Sequence, residues 1–148
     1  MPVFVDMNVL VHARDASAGD RHDRSRAWLA HLWRSRTGRL SQQVLHEYYA
    51  VVTRKLDPGL PRDETRADVR DLLAWRPAAL DIGVLEGAWR IEDRFGLSFW
   101  DALIVSAARA TGCERLLTED LLDGREIEGV VIMDPFAHDP PGRADSDR

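Results

Sequence analysis

One stretch constrains this chain more than any other: residues 97–110, LSFWDALIVSAARA. Read as a helix it is apolar or small on nearly every side, and in a soluble protein such a helix is buried. A carboxylate, Asp101, nonetheless stands in its first turn. Ser98 three residues earlier completes an S-x-x-D helix start, so capping accounts for Asp101 considered alone. Three further acids, Asp6, Glu47 and Asp120, stand in comparably awkward places. Whether the four converge decides what the chain does.

A chain of 148 residues is most simply one domain with a substantial core. Its 45% hydrophobic and 30% charged content is that of an ordinary soluble globular protein. No run approaches the roughly 18 apolar residues of a membrane span, and PVFVD at the start lacks the basic and apolar regions of a signal peptide. Cys113 is the only cysteine, which leaves no internal disulfide and no cysteine-based zinc site and fits a cytoplasmic protein. The net charge of −5 argues against a broadly basic nucleic-acid-coating surface but leaves room for a local basic groove.

The chain punctuates itself clearly. VFV at 3–5 ends in Asp6, as expected of a strand buried on both faces in a parallel sheet. A helical segment follows over 8–14, and polar residues with Gly19 make 16–23 a loop. Ala27, Trp28, Leu32 and Trp33 recur at helical spacing over 24–35, before Gly38. A very short strand at 39–41 leads to a helix over 42–55, with Val44, Leu45, Tyr48, Val51 and Val52 on its apolar face. Glu47, three residues from Val44 and four from Val51, projects at or beside that face. After PGLP come a helix at 63–74, with Ala67, Val69, Leu72 and Leu73 inward, and a strand at 79–82. Val84, Leu85, Ala88, Ile91 and Phe95 mark the next helix, which closes at Gly96 before the buried one. Strands at 115–118 and 130–133 complete the pattern. The polar, Pro- and Gly-rich segment 137–148 is expected to be a disordered tail. Alternating strands and helices predict a three-layer α/β/α sandwich with a mainly parallel sheet of four or five strands, in one domain over 1–136.

In such folds sites form outside the carboxyl ends of the strands, where the strand order switches. Asp6 ends the first strand, Asp120 follows a later one, Asp101 opens a helix and Glu47 borders a core-facing one, so all four are placed to meet at one end of the sheet. Two carboxylates about 5 Å apart repel by roughly 3 kcal/mol at an effective dielectric of about 20. A divalent cation reverses that sign, and an all-oxygen set favours Mg²⁺ or Mn²⁺ over zinc. The histidines show no zinc-protease spacing. Each acid has a plainer role when taken singly: a strand end, a solvent-reaching side chain, a cap, a turn. One shared site explains the four together better than four coincidences.

At these same residues the chain resembles the PIN-domain proteins and, among them, the VapC-type toxin ribonucleases. The matching segments are VFVDMNVLVHARD, LSQQVLHEYYAVVTRKL, LSFWDALIVSAARATGC and RLLTEDLLDG, in that order, and the likeness spans 2–136. The resemblance implies a Mg²⁺- or Mn²⁺-dependent endoribonuclease that hydrolyses RNA phosphodiester bonds as the toxin of a type II toxin–antitoxin pair. It also implies a homodimer held inactive by a cognate antitoxin. By the same likeness Asp6 and Asp101 are the principal metal ligands, with Glu47 and Asp120 completing the acidic catalytic set. Asn8 would orient its neighbours, and Thr118 matches the hydroxyl residue before the fourth acid. For that fourth position Glu119 and Asp123 remain alternatives to Asp120. Arg14, Arg21 and Arg109 are candidates to hold flanking phosphates.

Two other readings use an acidic, Mg²⁺-binding pocket without nuclease activity. A receiver-like module needs a basic residue after a late strand, and the only lysine, Lys55, lies in a helix. A phosphatase of the haloacid dehalogenase kind needs a second Asp where Asn8 stands. The aromatic residues Trp28, Trp33, Tyr48, Tyr49 and Trp75 either build a partner groove or dimer face or are simply core.

Overall fold

Val3, Phe4 and Val5 are buried as the strand β1 (Val3–Val5), an inner strand of a five-stranded sheet. The computed structural model describes residues 1–142. After β1 come α1 (Met7–Arg14), α2 (Asp20–Ser35), β2 (Gly38–Arg39), α3 (Gln42–Arg54) and α4 (Arg62–Leu72). They are followed by α5 (Ile82–Phe95), α6 (Phe99–Ala110), β3 (Arg115–Leu117), β4 (Glu126–Ile127) and β5 (Val130–Met133).

The strand order is β2-β1-β3-β5-β4. β1 runs parallel to β2, with Val3 opposite Gly38, and to β3, with Val5 opposite Leu117. β3 is parallel to β5, and only β4 is antiparallel. The sequence reading missed β4. It is created by a two-residue turn in which Glu128 and Gly129 have φ of 49° and 85°, the two positive values a tight hairpin needs. Because β2 and β3 lie on opposite sides of β1, the strand order switches beside the carboxyl end of β1.

The helices form two groups, consistent with the three-layer α/β/α sandwich: α1 packs on α2 and α3, α3 packs on α4, and α5 packs on α6, which lies on β3 and β5. The apolar stretch is α6, and Ala102 to Ala108 are buried without a break. α5 approaches α6 so closely that a Cβ at Gly87 would stand 2.5 Å from Ser106 Oγ, which itself donates to the Val84 carbonyl at 2.8 Å. Gly87→Ala is therefore expected to cost about 1–3 kcal/mol through overpacking, read as a lowered urea midpoint at unchanged m-value.

Several boundaries differ from expectation for identifiable reasons. No strand forms at 79–82: Ala78 makes one parallel bridge to Ser41, and Asp81 accepts the Val84 N–H at 2.9 Å to cap α5. α2 begins at Asp20, inside the expected loop, because Gly19 supplies a φ of 63° at its N-cap. On α4 the inward residues are Thr65 and Leu72, with Val69 half-buried, whereas Ala67 and Leu73 are exposed. The turn tightens to a 3-10 helix at Leu73–Trp75, which rotates Leu73 outward and buries Trp75. Trp28, Tyr48 and Trp75 are core, while Trp33 is exposed. Of the expected tail, residues 143–148 lie outside the described residues. Before them, the Trp28 indole donates to the Pro135 and His138 carbonyls at 3.0 Å each, Arg24 pairs with Asp139, and Pro140 is buried. No helix among the described residues is long and apolar enough to cross a membrane.

Candidate functional site

Asp6 ends one element and begins the next. Its N–H continues the β1–β3 ladder to the Leu117 carbonyl at 3.0 Å, and its side chain caps α1 by accepting the Met7 N–H at 2.7 Å. The other carboxylate oxygen accepts from Thr118 Oγ1 at 2.8 Å, at the carboxyl end of β3. Thr118 is fully buried and Asp6 nearly so. Asn8, in the first turn of α1, donates its amide to Thr118 Oγ1 at 3.3 Å and to Asp120 Oδ2 at 3.2 Å, and Thr118 also accepts the Asp120 N–H at 3.1 Å. Asp6, Thr118, Asn8 and Asp120 thus form one hydrogen-bonded chain at the switch point.

The electrostatics show which acids come together. Burial pushes the Asp6 carboxyl up to about 6, against the hydrogen bonds from Thr118 and Met7 that lower it. Asp120 and Glu47 stand near enough to raise it further by repulsion. Glu47 is half-buried on α3, and Gln43 one turn earlier donates to it at 2.6 Å. Sequence reading missed Gln43, although glutamine four residues before glutamate on a helix was a usable signal. Asp101 stands half-buried in the first turn of α6, and its N–H donates to Ser98 Oγ at 3.2 Å. Its side chain makes no hydrogen bond or ion pair among the described residues. A short connection leads from α6 to β3, so α6 runs back against the strands and its N-terminus lies toward their carboxyl ends. Three of the four acids are therefore electrostatically coupled, and the fourth shares their end of the sheet.

The alternatives for the fourth acid are engaged elsewhere. Glu119 is bound by His12 Nε2 at 2.8 Å and by Arg21 Nε at 3.0 Å. Partial burial raises its carboxyl, but the hydrogen bonds from those two partners outweigh it and hold the group below its ordinary value. Asp123 accepts the Asp134 N–H at 2.9 Å and pairs with His138 at 2.9 Å. Asp120 is exposed and, among the described residues, is bound through its side chain only by Asn8. The three arginines are also paired: Arg14 holds Asp68 with two bonds of 2.8 and 2.9 Å, Arg21 holds Glu119, and Arg109 lies 3.6 Å from Glu128.

The model of the family described as PIN domain matches residues 3–121. The chain belongs to the PIN-domain family. That match spans Asp6, Glu47, Asp101 and Asp120 and stops before Asp123. Among solved structures, this PIN domain is similar to Mycobacterium tuberculosis VapC20, a Sarcin-Ricin loop cleaving toxin, at 25% identity. That likeness covers 80% of this chain and 91% of the other, with a TM-score of 0.60. A toxin–antitoxin complex from Klebsiella pneumoniae shares the fold at 17% identity, covering 95% of this chain and 100% of that one, with a TM-score of 0.61. So does VapBC2 from Rickettsia felis, solved with a DNA fragment from its promoter, at 15% identity, 89% and 97% coverage and a TM-score of 0.58. No curated protein matches the sequence.

The donor set suits a hard divalent cation. All the candidate ligands are oxygens, and the buried Asn8 Oδ1 beside them has no hydrogen-bond partner among the described residues. Among the described residues no three His, Cys, Asp or Glu side chains already stand grouped as a cage. Mg²⁺ does not need one, since it keeps several waters and binds through one or two carboxylates plus substrate phosphate.

Proposed function

We propose that this PIN domain is a Mg²⁺- or Mn²⁺-dependent endoribonuclease and the toxin of a type II toxin–antitoxin pair. The observation that carries this reading is the buried Asp6 carboxylate at the switch point, with two more acids adding to its charge. A fold that spends stability to bury one carboxylate next to a half-buried and an exposed one is holding a site for a cation. The cleaving activity of the Mycobacterium tuberculosis relative and the complexes formed by the Klebsiella and Rickettsia ones support RNA as substrate and an antitoxin as partner. A homodimer in the cytoplasm completes the reading.

Asp6 and Asp101 are the first-choice ligands, with Glu47 and Asp120 second. When bound, a divalent cation would neutralise phosphate charge and make a water more acidic. Thr118 and the Met7 N–H fix the Asp6 oxygens, while Asn8 holds Asp120 by one oxygen and leaves the other free. Gln43 does the same for Glu47. A carboxylate with one free oxygen, at Asp120 or Glu47, can orient the attacking water and accept its proton.

Incubation of total RNA with the purified protein tests the reading directly. Cleavage with internal phosphodiester breaks is expected with Mg²⁺ or Mn²⁺ and is abolished by EDTA; equal cleavage in EDTA, or none under either condition, sinks it. The division of labour between neighbouring acids adds a sharper test. Asp120→Asn is expected to lower the rate by about 10- to 100-fold, while Glu119→Gln leaves it within a few-fold and instead weakens the β3 exit by about 1–2 kcal/mol through lost charge-assisted bonds. The reverse ranking would reassign the fourth acid.

A further inference from the structure

Beside the acids lies a cleft of about 660 Å³ between α3, the 79–81 segment and α6, bordered by Gln43, His46, Glu47, Leu80 and Trp100. Trp100 is 63% exposed at the start of a helix whose middle, Ala102–Ala108, is buried, and Leu80 is 40% exposed. Phe99 packs against the Trp100 ring at 5.2 Å, with an interplanar angle of 70°, and supports it from one edge. Among the described residues no arginine or lysine borders the cleft, whereas the carboxylates Glu47 and Asp81 do. Its walls therefore suit a flat uncharged group better than a phosphate.

Glu47 joins this cleft to the acidic site: it borders the cleft and is also one of the two carboxylates that act on Asp6. Trp100 immediately precedes Asp101. Gln43, more than nine-tenths buried, gives its amide N–H to Glu47 and keeps an oxygen with no hydrogen-bond partner among the described residues. An exposed aromatic face, an apolar side chain beside it and amide, imidazole and carboxylate groups able to hydrogen-bond a base edge are what single-strand nucleic-acid sites use to hold a base by stacking.

We infer that this cleft takes an unpaired RNA base, stacked on Trp100, from a nucleotide next to the one whose phosphate reaches the acids. The inference rests on the ribonuclease reading and adds to it the place where a base beside the cut is held.

The test is a double-mutant cycle on binding, with Ca²⁺ in place of Mg²⁺, using a labelled short oligoadenylate and an abasic oligomer with the same phosphates. Trp100→Ala is expected to weaken oligoadenylate binding at least about fivefold. Removing the bases should weaken wild type by a similar factor and Trp100→Ala by little more. Trp100→Phe, which keeps a stacking face, should recover most of the affinity and confirm that the site is folded. Independent, additive losses overturn the inference. So does a Trp100→Ala protein that binds both oligomers like wild type but sediments as a smaller species, which would make the cleft a face between two copies of this chain. RNA cleavage by wild type without coupling would remove this inference and leave the nuclease reading intact. Coupling without cleavage would do the opposite.

Discussion

Asp6→Asn is expected to abolish RNA cleavage and, in metal-free buffer near pH 8, to make the protein more stable than wild type. The lost carboxylate charge removes a principal metal ligand, worth several kcal/mol in the transition state and so about a thousandfold or more in kcat/KM. The stability gain follows from the same burial. Asp6 has an ordinary value of 3.8 and titrates at about 6 in the folded protein. Between those values the folded state holds the extra proton. Wild-type stability therefore falls as pH rises through that window and levels off above it, by an amount on the order of 3 kcal/mol. Asparagine carries no charge to bury and still accepts the Met7 N–H, but it gives up an acceptor for the Thr118 hydroxyl. The net gain at pH 8 should accordingly be about 1–2 kcal/mol, visible as a raised Tm and a flatter stability profile between pH 4 and 6. Adding Mg²⁺ should reverse the order, because a ligand at about 100 times its Kd adds about 2.7 kcal/mol to the state that binds it. An Asp6→Asn protein that cleaves like wild type, or that keeps the acid-range slope, would end the metal-site reading.

Asp101→Asn separates catalysis from capping. The cap of α6 belongs to Ser98, whose hydroxyl accepts the Asp101 N–H, while the Asp101 side chain makes no hydrogen bond among the described residues. Losing its charge removes only the favourable interaction of an anion with a helix start, about 0.3–1 kcal/mol. Ser98→Ala should cost about 1 kcal/mol and leave cleavage near wild type at low temperature. If Asp101 is a metal ligand, its asparagine variant should instead lose at least about a hundredfold in cleavage with almost no change in Tm. Thermal melts paired with initial rates decide the matter. A variant that loses stability and keeps its rate would return Asp101 to a helix-start role.

The two experiments bear on different parts of the site. Asp6 is locked by Thr118 and Met7 before any ligand arrives, whereas Asp101 and Asp120 keep oxygens unspent. That asymmetry fits a site with one preorganised ligand and others that close on the cation and phosphate. The ion pairs around it serve the scaffold. Arg14 with Asp68 and Tyr48 ties α1 to α3 and α4, and Glu119 with His12 and Arg21 ties the exit of β3 to α1 and α2.

Much of this was legible in the linear chain, because burial leaves a periodic mark. The apolar run before Asp6, the all-round apolar α6 and the β-branched run of β5 had few conformations that would hide them from water, and each formed where its pattern placed it. The four acids stood out for the same reason: a carboxylate inside such a pattern is a conflict that sequence alone exposes. Features decided by backbone geometry or by distant partners were not legible. β4 depends on two consecutive positive φ values, and the expected strand at 79–82 yielded to a cap from Asp81. Asp120 and Glu119 are adjacent in sequence and equal in chemistry, and only the arrival of His12 and Arg21 from about a hundred positions away commits one carboxylate to the scaffold and leaves the other beside Asp6. Local pattern determined which residues had to be buried and which acids were out of place. Tertiary structure alone decided which acid faces which, because Coulomb and hydrogen-bond energies depend on separation in space, and separation along the chain does not report it.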